Sequence, residues 1–216
     1  MNSKSNTVII IDDHPLFRKG VTELLNSQPD FEIIGEAASG VEGLELANKL
    51  NPDLIMIDLN MKGINGIQVL ASLKKTDIKS INIILTVSDT EENFLTALRS
   101  GADGYLLKDT EPEKIVEKLR SAINGEVVID DNLTNLLTNS IRDNKPPTPT
   151  DFHMLSEREL EIIKLIVKGM SNKLIAKTLG ITEGTVKVHV KNMLRKLNLS
   201  SRLEAALWAI GHGCTE

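Results

Sequence analysis

Four short apolar runs in this 216-residue chain end on residues that could do chemistry. Residues 7–11 run into Asp12 and Asp13, residues 54–57 into Asp58, residues 81–85 into Thr86, and residues 105–107 into Lys108. Each is a brief apolar stretch bounded by polar residues, as expected of strands buried on both faces. If the strands are parallel, their C-terminal ends share one rim, where an open α/β sheet leaves a crevice for chemistry. Three carboxylates, a hydroxyl and an ammonium would meet there. Carboxylates packed together repel one another unless a cation sits among them, and a hard, oxygen-rich site suits Mg²⁺. With Mg²⁺ held by Asp12, Asp13 and Asp58, Asp58 could attack a phosphorus atom as a nucleophile. The metal and Lys108 would neutralise the equatorial oxygens, and the Thr86 hydroxyl could donate to the product phosphate. A single Asp after a strand is most often a turn residue or helix cap. Five such residues in this order and spacing point instead to phosphoryl transfer.

The intervening segments must deliver these residues to one rim. A second strand is predicted over 31–37, and helices over 15–27, 40–50, 66–75, 90–100 and 111–124. Pro15 suits a first helical turn, and His14 before it reads as a helix-opening residue rather than a metal ligand, because no second histidine lies near in sequence. Val41, Leu44 and Ala47 give the second helix its apolar positions. Ser88 and Asp89 are placed to cap the helix that Gly101 stops. Five alternations of strand and helix predict an α/β fold with a doubly wound, five-stranded parallel sheet over residues 1–130. A connecting helix over 131–142 and the run Lys145, Pro146, Pro147, Thr148, Pro149, Thr150 form a link over 131–151. Its prolines favour extended, solvated backbone.

The first 125 or so residues resemble the receiver domain of bacterial two-component response regulators. Asp12, Asp13, Asp58, Thr86, Tyr105 and Lys108 carry the resemblance, with Gly101, Ala102, Asp103 and Gly104 before the last strand. It implies that Asp58 is the phospho-acceptor, that a sensor histidine kinase is the donor, and that the Asn60 backbone carbonyl joins the metal shell. Thr86 and Tyr105 become a switch pair. Asp109, where many receivers carry proline, and Lys62 depart from the usual pattern without touching the acids.

Residues 152–216 are helical by period, predicting a small all-α domain of four helices. Ser156 and Glu159 form a capping box, followed by Leu160, Ile163, Ile166 and Val167 on one face. A second helix turns Leu174, Ile175, Thr178 and Leu179 inward. The short link at Gly180 and Ile181 is that of a helix-turn-helix. A third helix runs from Thr182 to about Leu197 with Val186, Val190, Leu194 and Leu197 as its buried stripe. A fourth packs Ala205 and Trp208. Lys187 and Lys191 lie four apart on another face of the third helix, with Val188 at its rim. Such a face suits the major groove of double-stranded DNA, where lysines reach phosphates or guanine edges and valine meets a thymine methyl. His189 reads as a structural or phosphate contact.

This segment resembles the LuxR/NarL/FixJ type of DNA-binding domain. The match runs through Leu155, Ser156, Glu157, Arg158 and Glu159, then Gly169, Asn172, Lys173, Ile175 and Ala176. It ends on Thr185, Val186, Lys187, Val188 and His189, with Lys196 and Leu197. The resemblance assigns DNA contacts to Lys187, Val188 and Lys191, with Thr185 and His189 beside them. Gly184 replaces the usual serine or alanine, which weakens the helix start by up to ~1 kcal/mol. The whole chain looks most like the nitrate/nitrite-responsive branch, implying control of anaerobic respiration genes.

Composition is that of an ordinary soluble protein, 25% charged and 41% hydrophobic. No apolar run approaches a membrane span and the first residues lack a signal-peptide core, predicting a cytoplasmic protein without a membrane partner. The lone Cys214 reads as a chance residue in a loose tail. The net charge of −5 divides unevenly: residues 1–150 carry 15 Lys and Arg against 23 Asp and Glu, and residues 151–216 carry 10 against 7. A half at −8 should attract a half at +3. The unphosphorylated receiver is therefore expected to rest against the third helix, and phosphorylation to free it and let two copies pair on DNA. An Asp-nucleophile phosphatase would use the same acids but needs a substrate-shaping cap, and no insertion is long enough to be one. A phosphate-independent regulator usually lacks an acid, the lysine or the hydroxyl; all are present here. The chain is expected not to be an enzyme.

Overall fold

The structure, a computed structural model, describes residues 5–130 and 151–214. The connecting helix and proline-rich link expected over 131–150 lie outside the described residues.

Strands β1 (Asn6–Ile11), β2 (Phe31–Ala37), β3 (Leu54–Ile57), β4 (Ile81–Thr86), β5 (Gly104–Leu107) and β6 (Val128–Ile129) form one sheet in the order β2-β1-β3-β4-β5-β6. Every pairing is parallel. The sheet thus has six strands, not the five expected. The two-residue β6 pairs Val128 with Gly104 and Ile129 with Tyr105, and is too short for any period to register.

The strands alternate between two cores, as the two-residue side-chain period requires. Ile9, Ile11, Ile55 and Ile57 face one cluster, and Val8, Ile10, Leu54 and Met56 the other. Helices α1 (Pro15–Asn26) and α5 (Pro112–Ile123) supply Val21, Leu25, Ile115 and Leu119 to the second cluster. Helices α2 (Gly40–Leu50), α3 (Gly66–Leu73) and α4 (Glu91–Ser100) cover the first. Val41 does not face inward: it is 50% exposed, and Gly40, Gly43 and Ala47 are the buried side of α2. Nor do Ser88 and Asp89 cap α4. Its N-cap is Thr90, which makes no side-chain capping bond.

A single 3₁₀ turn (Asp151–Met154) leads into α6 (Glu157–Val167), α7 (Asn172–Leu179), α8 (Glu183–Leu197) and α9 (Arg202–Gly211). The capping box at Ser156 and Glu159 is formed as expected. The core takes Ile162, Ile163, Ile166, Ile175, Val186 and Met193. Leu174 and Thr178, expected inside, are exposed, because α7 buries Ile175 and Ala176 instead. Met193 joins Val186 as the fully buried part of α8, whereas Val190, Leu194 and Leu197 are half-buried. Beneath them the buried Glu159 carboxylate accepts from Lys196 Nζ at 2.6 Å and from the Ser156 amide at 2.8 Å. Cys214 is not in a loose tail. It is buried against this core, its amide donating to the Ala209 carbonyl, and burial pushes its thiol up against the opposing effect of Lys164.

The two halves touch. Leu203 of α9 is fully buried within the receiver-side cluster, Leu207 packs beside it, and Val127 packs against both cores. Lys74 crosses Gly101, where φ is +103° and an added Cβ would overlap the lysine stem, and its Nζ donates to the Ser200 carbonyl.

Candidate functional site

Asp12, Asp58 and Thr86 all lie at C-terminal strand ends, with side chains shut from solvent. Lys108 follows β5 and spans the acids: its Nζ is 2.8 Å from Asp12 Oδ2 and 2.9 Å from Asp58 Oδ2. The ammonium also lies 4.7 Å from the centre of the Phe17 ring, whose π face favours a cation. Asp13 is one-fifth exposed, and its Oδ2 accepts from the Lys62 amide at 3.2 Å. Asp58 Oδ1 accepts from the Asn60 amide at 3.3 Å. The rim can close around Asp58 because α3 begins with Gly66, where a Cβ would stand 2.4 Å from the Asp58 carbonyl oxygen.

The acids fit a divalent cation. Asp13 Oδ1 and Asp58 Oδ2 are buried and take no hydrogen bond of good geometry, although the Lys108 ammonium is close to the second. A carboxylate oxygen so placed is poorly compensated without a further positive charge. Asp12, Asp13 and Asp58 could supply oxygen ligands to such an ion. One group at this cluster escaped the sequence reading. His14 is indeed the N-cap of α1, yet its ring turns to the acids, with Nδ1 3.0 Å from Asp13 Oδ1, 3.3 Å from Asp12 Oδ1 and 3.5 Å from Asp58 Oδ2. Only its place directly after the paired aspartates could have signalled this.

Thr86 and Tyr105 meet at one residue. Thr86 Oγ1 accepts from the Ser88 amide at 3.2 Å, and the Tyr105 hydroxyl donates to the Ser88 carbonyl at 2.9 Å. Tyr105 is already buried, edge-on to Phe94 at 5.2 Å. Burial pushes its hydroxyl up to about 12, with the Ser88 bond opposing.

On α8, Lys187 and Val188 are 65% and 58% exposed, and Lys191 is exposed beside them. Lys187 pairs with Glu183 at 3.2 Å, a weak exposed contact that leaves it available. Thr185 is half-buried and engaged in the cap, its amide donating to Thr182 Oγ1 at 3.1 Å. His189 is half-buried. Arg195, eight residues after Lys187, extends the lysine row by helical spacing and was not singled out from the sequence. Lys196, by contrast, is held to Glu159.

The receiver does not press on α8 as expected. Its contacts fall on α9, Ser200 and Asn172 at the start of α7, while an open crevice of about 600 Å³ lies between Lys79 and Lys187, Lys191 and Arg195 of α8. Net charge does not draw the receiver to this face, because cations line both sides. Attraction lies elsewhere, where Glu126 acts on Arg202 and Glu204 on Lys74.

Residues 8–120 match the response regulator receiver domain family, and residues 153–209 match the luxR family of bacterial regulatory proteins. The chain is 48% identical to the nitrate/nitrite response regulator protein NarL of Escherichia coli K12, over 96% of each chain. The chain belongs to the response regulators with a LuxR-type DNA-binding domain. It is also 42% identical to the E. coli K12 nitrate/nitrite response regulator protein NarP, over 93% of this chain and 92% of NarP. Among solved structures, ChrA of a heme-sensing two-component system is 32% identical with a TM-score of 0.53, covering 97% of this response regulator and 98% of ChrA. The receiver domain of NarL from Mycobacterium tuberculosis is 32% identical with a TM-score of 0.56, covering 57% of this chain and 99% of that domain. The protein is thus a transcription regulator whose DNA binding depends on phosphorylation. Among the described residues, no helix is long and apolar enough to cross a membrane.

Proposed function

We propose that Asp58 accepts a phosphoryl group from a sensor histidine kinase, and that this frees the helix-turn-helix domain to bind DNA as a dimer. The observation that carries the reading is Lys108 bridging Asp12 and Asp58, both shut from solvent at strand ends. In the transfer, an Asp58 carboxylate oxygen forms a bond to phosphorus as the bond to the donor nitrogen breaks. Lys108 neutralises oxygens of the transferred group, and Thr86 donates to it once the phosphate is in place. Mg²⁺ held by Asp12, Asp13 and Asp58, with the Asn60 carbonyl, would supply further positive charge at those oxygens.

Residues 1–130 then act as receiver, 131–151 as link and 152–216 as reader of DNA through Lys187, Val188 and Lys191, flanked by Thr185 and His189. Thr86 and Tyr105 form the switch through Ser88, since drawing Thr86 toward a phosphate moves the residue that also holds Tyr105. Restraint is steric: a duplex lying along Lys187 and Lys191 would meet the receiver at Lys79. The likeness to NarL and NarP supports nitrate or nitrite as the distant signal, a cytoplasmic setting, and no turnover of an external substrate.

Treatment with acetyl phosphate tests the site. Labelling should need Mg²⁺ and vanish in Asp58→Asn. Labelling that persists in that variant, or in EDTA, would defeat the assignment.

A further inference from the structure

We infer that His14 is a fourth side-chain ligand at the acid cluster, beside the three aspartates, giving the site a nitrogen donor that favours a first-row transition ion such as Mn²⁺ over Mg²⁺. This rests on the metal-binding reading of the cluster above and adds a residue that reading does not use.

The geometry is that of a shared ion. Ligand atoms on adjacent positions of an octahedral ion with bonds of ~2.1 Å stand ~3.0 Å apart. His14 Nδ1 lies 3.0 Å from Asp13 Oδ1 and 3.3 Å from Asp12 Oδ1, with Asp58 Oδ2 slightly further at 3.5 Å. The ring nitrogen is also within hydrogen-bond reach of Asp12 Oδ1, and the four candidate ligand atoms all lie within 4.8 Å of one another, close enough for one ion to be shared. Among the described residues, Asp13 Oδ1 and Asp58 Oδ2 are the two buried carboxylate oxygens without a directional hydrogen bond, and both face the ring.

The ring is held there by local structure. His14 is the extended N-cap before Pro15, with φ −92° and ψ 101°, and its own amide donates to Asp12 Oδ1 at 2.8 Å. The proline fixes the start of α1 and the amide bond fixes the turn, so the side chain leaves the backbone toward the cluster. A neutral ring protonated on Nε2 directs its Nδ1 lone pair inward. The other charged neighbour, Lys108, approaches the opposite oxygen of Asp12 and shares Asp58 Oδ2 at 2.9 Å, and so leaves Asp12 Oδ1 and Asp13 Oδ1 to the ion.

Ligand chemistry sets the preference. Imidazole binds first-row transition ions well, whereas Mg²⁺ takes oxygen ligands and retains its waters. Three carboxylates alone would serve either ion. Adding an imidazole raises affinity for Mn²⁺ and does little for Mg²⁺.

The test uses the full chain, unphosphorylated, at one pH above the ordinary imidazole range. Mn²⁺ is the probe, read by pulsed electron paramagnetic resonance for ¹⁴N coupling and by titration against Mg²⁺. The wild type should show histidine nitrogen coupled to bound Mn²⁺. In His14→Ala the coupling should disappear while Mn²⁺ still binds, with affinity for Mn²⁺ lowered roughly tenfold or more and that for Mg²⁺ little changed. His14→Asn, which offers an oxygen instead, should also lack the coupling. Because the ring is 65% exposed, neither variant threatens the fold. Mn²⁺ bound without nitrogen coupling, or coupling that survives in His14→Ala, overturns the role of His14 alone. No Mn²⁺ or Mg²⁺ binding by the wild type overturns the metal site itself.

Discussion

The Tyr105 hydroxyl and the Ser88 carbonyl are 2.9 Å apart, and the Ser88 amide is in turn held by Thr86. One main-chain residue therefore connects the Thr86 hydroxyl at the end of β4 with the buried ring on the neighbouring strand β5. A threonine that turns toward phosphate must release the Ser88 amide, and the loop carrying the tyrosine's acceptor then moves.

That connection can be read at a single atom, because Tyr105 is the chain's one tyrosine. With a ¹⁹F label on the ring, phosphorylation should shift its resonance in the wild type. Thr86→Val keeps the shape and removes the hydroxyl, so Asp58 should still label while the shift is largely lost. An unchanged shift in Thr86→Val would mean the ring responds by another route.

The α8 lysines should matter for DNA and not for phosphorylation. A lysine contacting only phosphate should, as alanine, weaken all sequences alike and lower the salt slope by about one. One that reads a guanine should cost roughly 1–3 kcal/mol at the specific site and relax its preference there. Arg195→Ala should behave as a phosphate contact. Wild-type affinity in the double variant Lys187→Ala, Lys191→Ala would show that α8 is not the reading helix.

Contact between the halves should restrain DNA binding before phosphorylation. Leu207→Ala with Lys74→Ala removes apolar packing and the bond to Ser200 without opening either core. The unphosphorylated variant should bind DNA more tightly than the unphosphorylated wild type, and small-angle scattering should show a larger radius. The phosphorylated forms should bind alike. Equal binding by the unphosphorylated forms would leave pairing of two copies as the switch.

Within the helical domain, Lys196→Met strips the Glu159 carboxylate of its cation, leaving it only Ser156. Unfolding followed by Trp208 fluorescence should show a loss of roughly 1–3 kcal/mol at neutral pH. Burial pushes the Glu159 carboxyl up, but Lys196 and Ser156 outweigh it and leave the group below its ordinary 4.5. A folded-state value below the unfolded one stabilises at pH above 4.5, and that contribution disappears as pH falls through the depressed value. The gap between variant and wild type should therefore narrow in acid. A gap that stays constant with pH would remove Glu159 as its source.

What the sequence by itself determined was local and periodic. The apolar runs ending in Asp12, Asp58, Thr86 and Lys108 were legible because a buried strand needs consecutive apolar residues and a polar residue marks where the run stops. The capping box at Ser156 and the exposed Lys187 and Lys191 were legible for a similar reason, since helical geometry sets which residues are neighbours. Tertiary structure decided whatever depends on a distant partner. Leu203 carries the same apolar signal as any core residue, and only the packing of the halves seats it in the receiver cluster. Val41 and Leu174 fit the helical period yet lie outside, because close-packing glycines and Ala176 take the inner faces. The His14 ring reaches Asp58, 44 residues away, only after β1 and β3 pair and bring their ends together. Periodicity records which side of an element is apolar. It holds no record of what that side will meet.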